Sequence, residues 1–266
     1  MPDLQAWLLA LAAMLAAAVV TWVVSTFKRD VSIVDSLWSL LFLLGLMVYV
    51  LAADITGPRT VLVVALVAVW ALRLSAHIAV RSFGEPEDRR YQKIRANNQP
   101  YFWLKSLYIV FALQALLAWI ICLPAVAAVS AQAPLGLLDF AGVALWLTGM
   151  FFEAVGDWQL YRFQRRDSAG EVLDSGLWRY TRHPNYFGEA TLWWGIYLLA
   201  VAGGAWWTVF APLLLTFLLL RVSGVAMLEK GISARRPQYR DYIRRTSAFF
   251  PRLPREPGKD GSRGAS

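Results

Sequence analysis

Long apolar runs alternate with short polar connections along nearly the whole chain. Seven of these runs reach or approach the roughly 20 apolar residues that cross a hydrocarbon layer of about 30 Å as a helix. None of them alternates apolar and polar residues in the manner of a membrane β-strand. The predicted spans are 5–26, 31–53, 59–80, 105–129, 137–158, 186–202 and 205–225. The pattern therefore predicts an all-α integral membrane protein with seven transmembrane helices.

Composition supports this fold class. Hydrophobic residues make up 58% of the 266 positions, which is too much apolar surface for a soluble core to bury. The single cysteine, Cys122, lies inside an apolar run, so we expect neither a disulfide framework nor a thiol metal site. Residues 1–254 are predicted to form one catalytic transmembrane domain. Residues 255–266, rich in Gly, Ser, Arg and Pro, are predicted to be a disordered basic tail.

The basic residues are distributed very unevenly over the two sides of the predicted membrane. Of the 26 Lys and Arg residues, all except Arg59 and Arg73 fall in the connections of one side. The positive-inside rule assigns that side to the cytoplasm, which puts the N-terminus outside and the C-terminus inside. Topology thus explains the net charge of +8, and we expect no nucleic-acid partner. The start Met1-Pro2-Asp3 lacks the basic region of a signal peptide, so the first span is expected to be retained.

An ionisable residue lies inside the second span. Asp35 and Trp38 come about one turn after its predicted cytoplasmic end. Burial of a charge in hydrocarbon costs at least about 2.5 to 3.5 kcal/mol, so such residues usually face a cavity or a partner. Asp35 is therefore a candidate functional residue. The alternative is that Asp35 is solvated at the interface or paired with Lys28 or Arg29.

Cationic residues recur every four positions in the third span. Arg73, His77 and Arg81 therefore lie on one face of a helix. Such a face requires anionic company, which is either a protein carboxylate or a phosphorylated ligand. A structural ladder of ion pairs is the alternative. The candidate carboxylates are Asp35, Glu153, Asp157, Glu189 and Glu229.

Two short polar segments outside the spans are predicted to be interfacial helices on the cytoplasmic side. One begins after Pro86 in the run Glu87-Asp88-Arg89-Arg90-Tyr91 and continues through Arg95. The other carries Tyr239 and Tyr242 on a basic helix. Charged segments of this kind lie on membrane surfaces, and the second could cover the polar loop that precedes the sixth span. A solvated interface face without a ligand is the alternative for the first.

That polar loop carries the chain's densest combination of basic and aromatic residues. Arg162, Arg165 and Arg166 offer planar guanidinium groups suited to phosphate oxygens. Pro184 stands where a first-turn proline belongs, and helix N-termini favour anions. The loop is therefore a candidate seat for a nucleotide diphosphate, with membrane-interface anchoring as the alternative. The residues next to this helix start are Tyr180, Arg182, His183, Asn185 and Tyr186.

A metal site is not indicated. Glu153 and Asp157 are four residues apart, but too few further His or carboxylate residues occur at a similar depth. The sequence also lacks a GxGxxG fingerprint, a P-loop and an HExxH motif. If the chain binds a nucleotide, it does so without a Rossmann domain.

Three motifs in this order resemble those of a known family. They are Gly84–Tyr91 (GEPEDRRY), Arg182–Glu189 (RHPNYFGE), and Arg236–Tyr242 (RPQYRDY) with Thr246–Pro251 (TSAFFP). The chain resembles the bacterial members of the steroid 5-alpha-reductase family, which are seven-helix membrane enzymes that use NADPH. The resemblance covers nearly the whole chain after Lys28. It implies a monomeric oxidoreductase of the bacterial inner membrane, whose cofactor site faces the cytoplasm.

The resemblance also implies roles for single residues. Asp157, Arg165 and Arg166 match residues that hold the adenosine and phosphate groups, and Trp193 matches a tryptophan near the nicotinamide. Asp35 stands roughly where the steroid enzymes place a Glu that grips the steroid carbonyl together with a Tyr. That Tyr directly follows the third-helix His, but here the position is Ile78. His77 or Asp35 therefore has to serve as the catalytic group, alone or with a tyrosine from elsewhere in the chain.

The expected cofactor is NADPH, and the expected substrate is a lipophilic enone that enters from the bilayer. The residues expected to bind the cofactor are Trp38, Arg81, Asp88, Arg89, Arg90, Tyr91, Arg95, Asp157, Arg165, Arg166, Tyr180, Arg182, His183, Asn185, Tyr186, Glu189, Trp193, Tyr239 and Tyr242.

Two alternatives stay open at this stage. Isoprenylcysteine carboxyl methyltransferases, which use S-adenosylmethionine, carry a similar Arg-His-Pro-x-Tyr run and a Tyr-x-x-Tyr tail. The GEPEDRRY and TSAFFP segments favour the reductases over them. A lipid-binding or scaffold protein without catalytic activity is the third possibility, and it predicts that neither cofactor binds.

Overall fold

The computed structural model describes residues 2–166, 171–222 and 238–254, and these residues are helical with no β-strand. The helices are α1 (Leu4–Lys28), α2 (Ile33–Ala52), α3 (Pro58–Ser82), α4 (Arg89–Asn97), α5 (Phe102–Ile121), α6 (Leu123–Val129), α7 (Leu137–Gln164), α8 (Pro184–Ala202), α9 (Trp206–Val222) and α10 (Gln238–Arg245).

Five of these helices are long and apolar enough to cross a membrane, namely α1, α2, α3, α5 and α7. They indicate an integral membrane protein. The sixth and seventh spans correspond to α8 and to the shorter apolar helix α9, so a count of seven spans stays a prediction. So do the orientation of the termini and the single domain over residues 1–254. Residues 223–225, Glu229 and the tail 255–266 lie outside the described residues.

The predicted fourth span is divided in the structure. The expected run 105–129 is observed as α5 and α6, separated at Cys122. The physical reason is Pro124, which has no backbone N–H to donate and is tolerated only in the first turn of a helix. Helix α5 also contains a π-helical segment, Leu107–Ala112.

The chain divides into two compact units. Unit 1 consists of the described residues up to Val143 together with Ile196–Ala211. Unit 2 consists of Ala144–Gly195 together with the described residues from Pro212 on. In unit 1, α1 packs against α2, α2 packs against α3, and α5 packs against α1. The ring of Trp70 meets Phe42 edge-on at 5.2 Å between centroids, which ties α3 to α2.

One exception to the charge asymmetry has a structural explanation in unit 1. The guanidinium of Arg59 is 3% exposed and donates to both carboxylate oxygens of Asp139, at 3.0 and 2.7 Å. It also donates to the carbonyl oxygens of Ala133 and Pro134. Because every one of these bonds is charge-assisted, this cation is neutralised where it lies. It does not argue against the predicted topology.

Candidate functional site

Asp35 is the centre of a polar cluster in unit 1. It lies in the first turn of α2, and its side chain is 17% exposed. Arg90 donates from Nη2 to Asp35 Oδ2 at 2.7 Å, and the Tyr91 hydroxyl donates to Asp35 Oδ1 at 2.5 Å. Both partners come from α4. The sequence left pairings of Asp35 with Lys28 or Arg29 open, but these pairs are not formed. Asp35 is bonded instead to Arg90 and Tyr91, which α4 brings against the start of α2.

Asp88 caps α4 with one hydrogen bond and ties the start of α4 to the start of α2 with another. Asp88 is the N-cap of α4 and accepts from the Arg90 backbone N–H at 2.8 Å. The Asp88 backbone N–H donates to Ser32 Oγ, also at 2.8 Å. An N-cap of this type satisfies helix N–H groups that have no intrahelical partner. The capping residue thus determines that Arg90 and Tyr91 point at Asp35.

A second network holds the rest of the GEPEDRRY motif in place. Glu87 accepts from the Val31 backbone N–H at 2.9 Å and from Arg95 Nη2 at 2.7 Å. The Arg95 guanidinium also lies 4.6 Å from the centre of the Phe102 ring, a cation–π geometry. The motif therefore fastens α4 to the turn between α1 and α2. In this arrangement Arg95, which the sequence assigned to the cofactor, is held by Glu87.

Burial and charge act together on the groups of α4. Burial raises the pKa of the Tyr91 hydroxyl well above its usual value, and the neighbouring Asp35 carboxylate raises it further. Burial acts to lower the pKa of Arg90, but the charge of Asp35 and the bond to Asp88 raise it. Burial acts to raise the pKa of Asp88, and the bond from Arg90 with its charge makes the net change a decrease. Tyr91 is therefore held as a neutral hydroxyl beside a carboxylate and a guanidinium.

Gln114 is a member of this cluster that sequence reasoning missed. Its Nε2 donates to the Tyr91 hydroxyl oxygen at 3.2 Å. Gln114 was not named from the sequence, although an amide in the middle of a span carries the same signal as Asp35, since a polar group in hydrocarbon needs a partner. That signal would have found it.

The other predicted residues of unit 1 lie around this cluster or apart from it. Trp38 packs edge-on against Phe42 at 5.1 Å. Arg81 acts on Asp88 through its charge. His77 is half-buried on α3, and Arg89 is exposed. The structure thus brings Asp35, Asp88, Arg90 and Tyr91 together, while Arg89 points elsewhere.

In unit 2 the buried polar residues gather where α7 meets the start of α8. Helix α8 begins at Pro184, as predicted. The Asn185 side chain donates from Nδ2 to Asp157 Oδ1 at 3.0 Å. Asp157, Glu153 and Glu189 are all buried. The two helices therefore enclose three carboxylate residues and one amide.

Glycines allow this approach. A Cβ on Gly188 would lie 2.4 Å from the Glu153 backbone nitrogen and 2.5 Å from the Gly149 carbonyl oxygen. A Cβ on Gly149 would lie 2.4 Å from the Leu192 backbone nitrogen. Helix–helix contacts in membranes use small residues in this way, because close backbones gain van der Waals contact. The buried carboxylates of unit 2 owe their position to this backbone contact.

Arg182 is buried and bonded to backbone carbonyls. Its Nη1 donates to Thr246 O at 2.5 Å and to Ile243 O at 3.1 Å. Its backbone N–H donates to Ser247 O at 2.9 Å. These carbonyls stand at and beyond the end of α10, where helices leave acceptors without intrahelical partners. Arg182 thus closes the C-terminus of α10.

The segment just before the second family-like motif binds the third motif and α10. Thr181 Oγ1 donates to Phe249 O at 2.8 Å, and the Arg252 N–H donates to Tyr180 O at 3.0 Å. From α10, the Tyr242 hydroxyl donates to Trp178 O at 2.5 Å. The TSAFFP segment is therefore laid along the segment that leads into α8. This confirms that α10 is a helix and that it covers the polar loop.

The remaining predicted residues of unit 2 fall into two groups. The buried group consists of His183, Tyr239 and Trp193. The His183 ring stacks on Tyr186 at 5.6 Å between centroids, and the Tyr239 ring meets Tyr242 edge-on at 5.5 Å. The exposed group consists of Tyr180, Arg165 and Arg166. Arg165 donates to the Tyr161 hydroxyl at 2.6 Å and leaves its other guanidinium N–H groups toward solvent.

These side chains fit a phosphorylated cofactor at one place and not at another. The exposed guanidinium groups of Arg165 and Arg166 are suited to phosphate oxygens. A cavity of about 350 Å³ in unit 2 is lined instead by three acidic residues, Glu171, Asp174 and Asp241, against one cation, Arg245, so its net negative charge disfavours a phosphate. Within residues 2–166, 171–222 and 238–254 no three His, Cys, Asp or Glu side chains form a group suited to a metal.

Comparison with known proteins shows which family the chain belongs to. The family described as a protein of unknown function, DUF1295, matches residues 21–246. The chain belongs to the DUF1295 family. This is a membrane family of the steroid 5-alpha-reductase-like type, which agrees with the resemblance seen in the three motifs.

Other comparisons of this DUF1295 protein add little about activity. It is similar to an uncharacterized protein of Schizosaccharomyces pombe, at 25% identity over 264 residues, which covers 88% of this chain and 76% of that protein. No solved structure matches the chain. Any statement about activity therefore depends on the sites themselves.

Proposed function

We propose that this DUF1295 protein is a membrane-embedded oxidoreductase that reduces the conjugated C=C bond of a lipophilic enone with NADPH. The observation that carries the proposal is the contact between Asp35 and Tyr91 beside Arg90 in unit 1. A neutral tyrosine held by a carboxylate at the end of an apolar helix is a hydrogen-bond donor of the kind that carbonyl chemistry requires. In this proposal Tyr91, which the sequence placed among the cofactor residues, takes the role of the tyrosine that Ile78 replaces.

In this proposal Tyr91 donates its hydroxyl hydrogen to the carbonyl oxygen of the enone. Negative charge develops on that oxygen as the double bond is reduced, and a fixed donor there stabilises it. The Arg90 guanidinium adds positive charge in the same cluster, and Asp35 holds both residues. The apolar surroundings of the span strengthen these interactions by excluding water. His77 stays a second candidate for the catalytic group.

NADPH supplies the hydride when bound. As a separate proposal for unit 2, Arg165 and Arg166 would hold the phosphates of NADPH, and Asp157 with Asn185 would bind polar groups of its nucleosides. Arg182 is expected to act through the fold of α10, because its guanidinium donates to the Thr246 and Ile243 carbonyls. The lipophilic substrate enters from the bilayer, the protein acts as a monomer of the bacterial inner membrane, and its cofactor site faces the cytoplasm.

Cofactor binding tests the proposal first. NADPH, at about 100 times its Kd, should stabilise the purified protein in detergent by about 2.7 kcal/mol, whereas S-adenosylmethionine should not. The double variant Arg165→Ala, Arg166→Ala should bind NADPH at least tenfold more weakly. Arg244→Ala, an equally exposed cation of unit 2, is the matched control. Stabilisation by S-adenosylmethionine alone would identify a methyltransferase, and stabilisation by neither would favour a protein without this chemistry.

Turnover tests the role of Tyr91. A 3-oxo-4-ene steroid serves as the probe enone, and NADPH oxidation is followed with formation of the saturated ketone. Tyr91→Phe should lower kcat at least a hundredfold, because the donor to the carbonyl oxygen is lost. Tyr108→Phe changes an exposed tyrosine of α5 and should have no effect. Full turnover by Tyr91→Phe would rule out Tyr91 as the donor.

A further inference from the structure

Gln114 is the one polar side chain of α5 that reaches the Asp35 cluster. The cost of an amide inside a membrane span is met when the amide finds a partner. Among the residues that the structure describes, the partner of this side-chain amide is the Tyr91 hydroxyl, at 3.2 Å from Nε2. Gln114 Oε1 is buried without a hydrogen-bond partner in the described part of the chain, so the Nε2 contact with Tyr91 is the polar contact that accounts for the position of this side chain.

The π-helical segment of α5 turns Gln114 toward Tyr91. Leu107–Ala112 ends two residues before Gln114, and a π-helical turn holds one residue more than an α-helical turn. Each residue of an α-helix advances by about 100°, so this extra residue rotates everything after it by about that angle. A regular helix through Leu107–Ala112 would present a different face at position 114. Segments of this kind occur frequently at functional sites.

The direction of each hydrogen bond follows from the chemistry of the partners. The Asp35 carboxylate accepts only, so the single hydroxyl hydrogen of Tyr91 lies on the 2.5 Å bond to Asp35. The Tyr91 oxygen must then accept from Gln114, and the amide group facing it is the NH₂ and not the carbonyl oxygen. Asp35 therefore places negative charge beside this oxygen, and Gln114 places a donor there.

We propose that Gln114 is a positioning residue that holds the Tyr91 hydroxyl oxygen and stabilises the negative charge that develops on it when Tyr91 donates to the substrate. The inference rests on the proposed function and assigns the residue on which the donor depends. When the Tyr91 hydrogen turns from Asp35 to the enone oxygen, the bond from Gln114 is unaffected, because it uses a lone pair of the hydroxyl. The charged groups that face Tyr91 are Asp35 from α2 and Arg90 and Asp88 from α4.

The overall step is balanced without any further reactant. Hydride from NADPH forms a C–H bond at the β-carbon, and the electrons of the C=C bond move to the carbonyl oxygen. That oxygen takes the Tyr91 hydrogen, which leaves negative charge on the tyrosine oxygen beside the Gln114 N–H. Transfer of the enol O–H proton to the α-carbon, with return of one solvent proton to Tyr91, gives the saturated ketone, NADP⁺ and the starting protein.

A spectroscopic test reads this contact without substrate or NADPH. Difluorotyrosine is placed at position 91, since its more acidic phenol titrates within a pH range that the protein tolerates, and is followed by ¹⁹F NMR. Gln114→Met, which removes the donor at similar volume, should raise the pKa at position 91 above that of the parent. Leu113→Met, a change at the exposed neighbouring residue, should leave it unchanged. An unchanged or lowered pKa in Gln114→Met would overturn the inference.

Turnover of the probe enone separates this inference from the proposed function. Gln114→Met should lower kcat about five- to tenfold, the effect of one hydrogen bond, with the KM for NADPH unchanged. If Gln114→Met does not fold, Gln114→Leu, which also lacks a donor, serves for both measurements and should likewise raise the pKa at position 91. A parent protein that never reduces the enone defeats the proposed function, while the NMR titration still decides the role of Gln114. Normal kcat in both variants would contradict it.

Discussion

The two units of this protein build their polar sites in different ways. In unit 1, side chains neutralise side chains, since Arg90 and Tyr91 meet Asp35 and Arg95 meets Glu87. In unit 2, the backbone carries the arrangement, because α7 and α8 touch at Gly149 and Gly188 and because Arg182 donates to carbonyl oxygens. The site of unit 1 should therefore respond to changes of charge, and that of unit 2 to changes of volume and of backbone contacts.

The same residue type thus has two uses within one chain. Arginine in unit 1 supplies charge beside a carboxylate, and its removal leaves that charge unbalanced. Arg182 in unit 2 supplies a planar fork to helix-end carbonyls, and its removal leaves acceptors without partners. A basic motif next to a membrane span is therefore evidence for a ligand only after its intramolecular partners are known.

The largest expected effect is on the backbone contact of unit 2. Gly188→Ala adds a Cβ that would lie 2.4 and 2.5 Å from backbone atoms, so α7 and α8 must separate. We expect a loss of about 3 kcal/mol in the free energy of unfolding, the upper end of the usual cost of overpacking, measured by thermal unfolding in detergent. Gly136→Ala is the control, because a Cβ there would meet nothing within 4 Å. Equal stability of the two variants would contradict the close contact.

A smaller loss is expected from Arg182→Ala. Two carbonyl bonds of the guanidinium disappear, at a cost of about 2 to 3 kcal/mol for a charged donor. Limited proteolysis should then cut within residues 238–254, while the rest of the chain resists. Arg244 has a side chain that is 77% exposed, so the variant Arg244→Ala should be cleaved at the same rate as the parent protein. Protection of residues 238–254 in Arg182→Ala would show that other contacts hold α10.

Asp35→Asn should change the chemistry of unit 1 more than its stability. The variant keeps an acceptor for Tyr91 and leaves Arg90 paired with Asp88, so a loss of only about 1 kcal/mol is expected. The pKa of Tyr91 should fall, because the negative charge beside it is removed while burial remains. Titration of difluorotyrosine at position 91 measures this change. A rise of that pKa would refute the charge argument for unit 1.

The smallest effect concerns acid stability. The pKa of Asp88 is lower in the folded than in the unfolded chain, so Asp88 stabilises the protein above its unfolded pKa and loses this contribution as the pH falls through the folded pKa. Asp88→Asn keeps a capping residue but removes this dependence below about pH 4, with a change well under 1 kcal/mol since the side chain is 37% exposed. Asp54→Asn, at an exposed position, is the control for unfolding followed against pH.

The sequence by itself determined the helices and the place of Asp35. Runs of about 20 apolar residues have one stable form in a membrane, and Pro184 had to begin a helix, so these features needed no tertiary information. It also marked the polar loop and the two short interfacial helices. The division at Cys122 was readable from Pro124, and Gln114 from its polarity, although neither was predicted.

Only the tertiary structure decided which polar residues meet. Tyr91 was predicted among the cofactor residues, but the cap at Asp88 turns it onto Asp35 across 56 positions of the chain. Arg182 stays a predicted cofactor residue, and the fold brings the Thr246 carbonyl to it, a contact that the sequence did not indicate. Such pairings depend on how helices pack, which no local pattern encodes. In this protein the apolar length of each run determines the spans, whereas the packing of the helices determines the partners of polar residues such as Asp35 and Arg182.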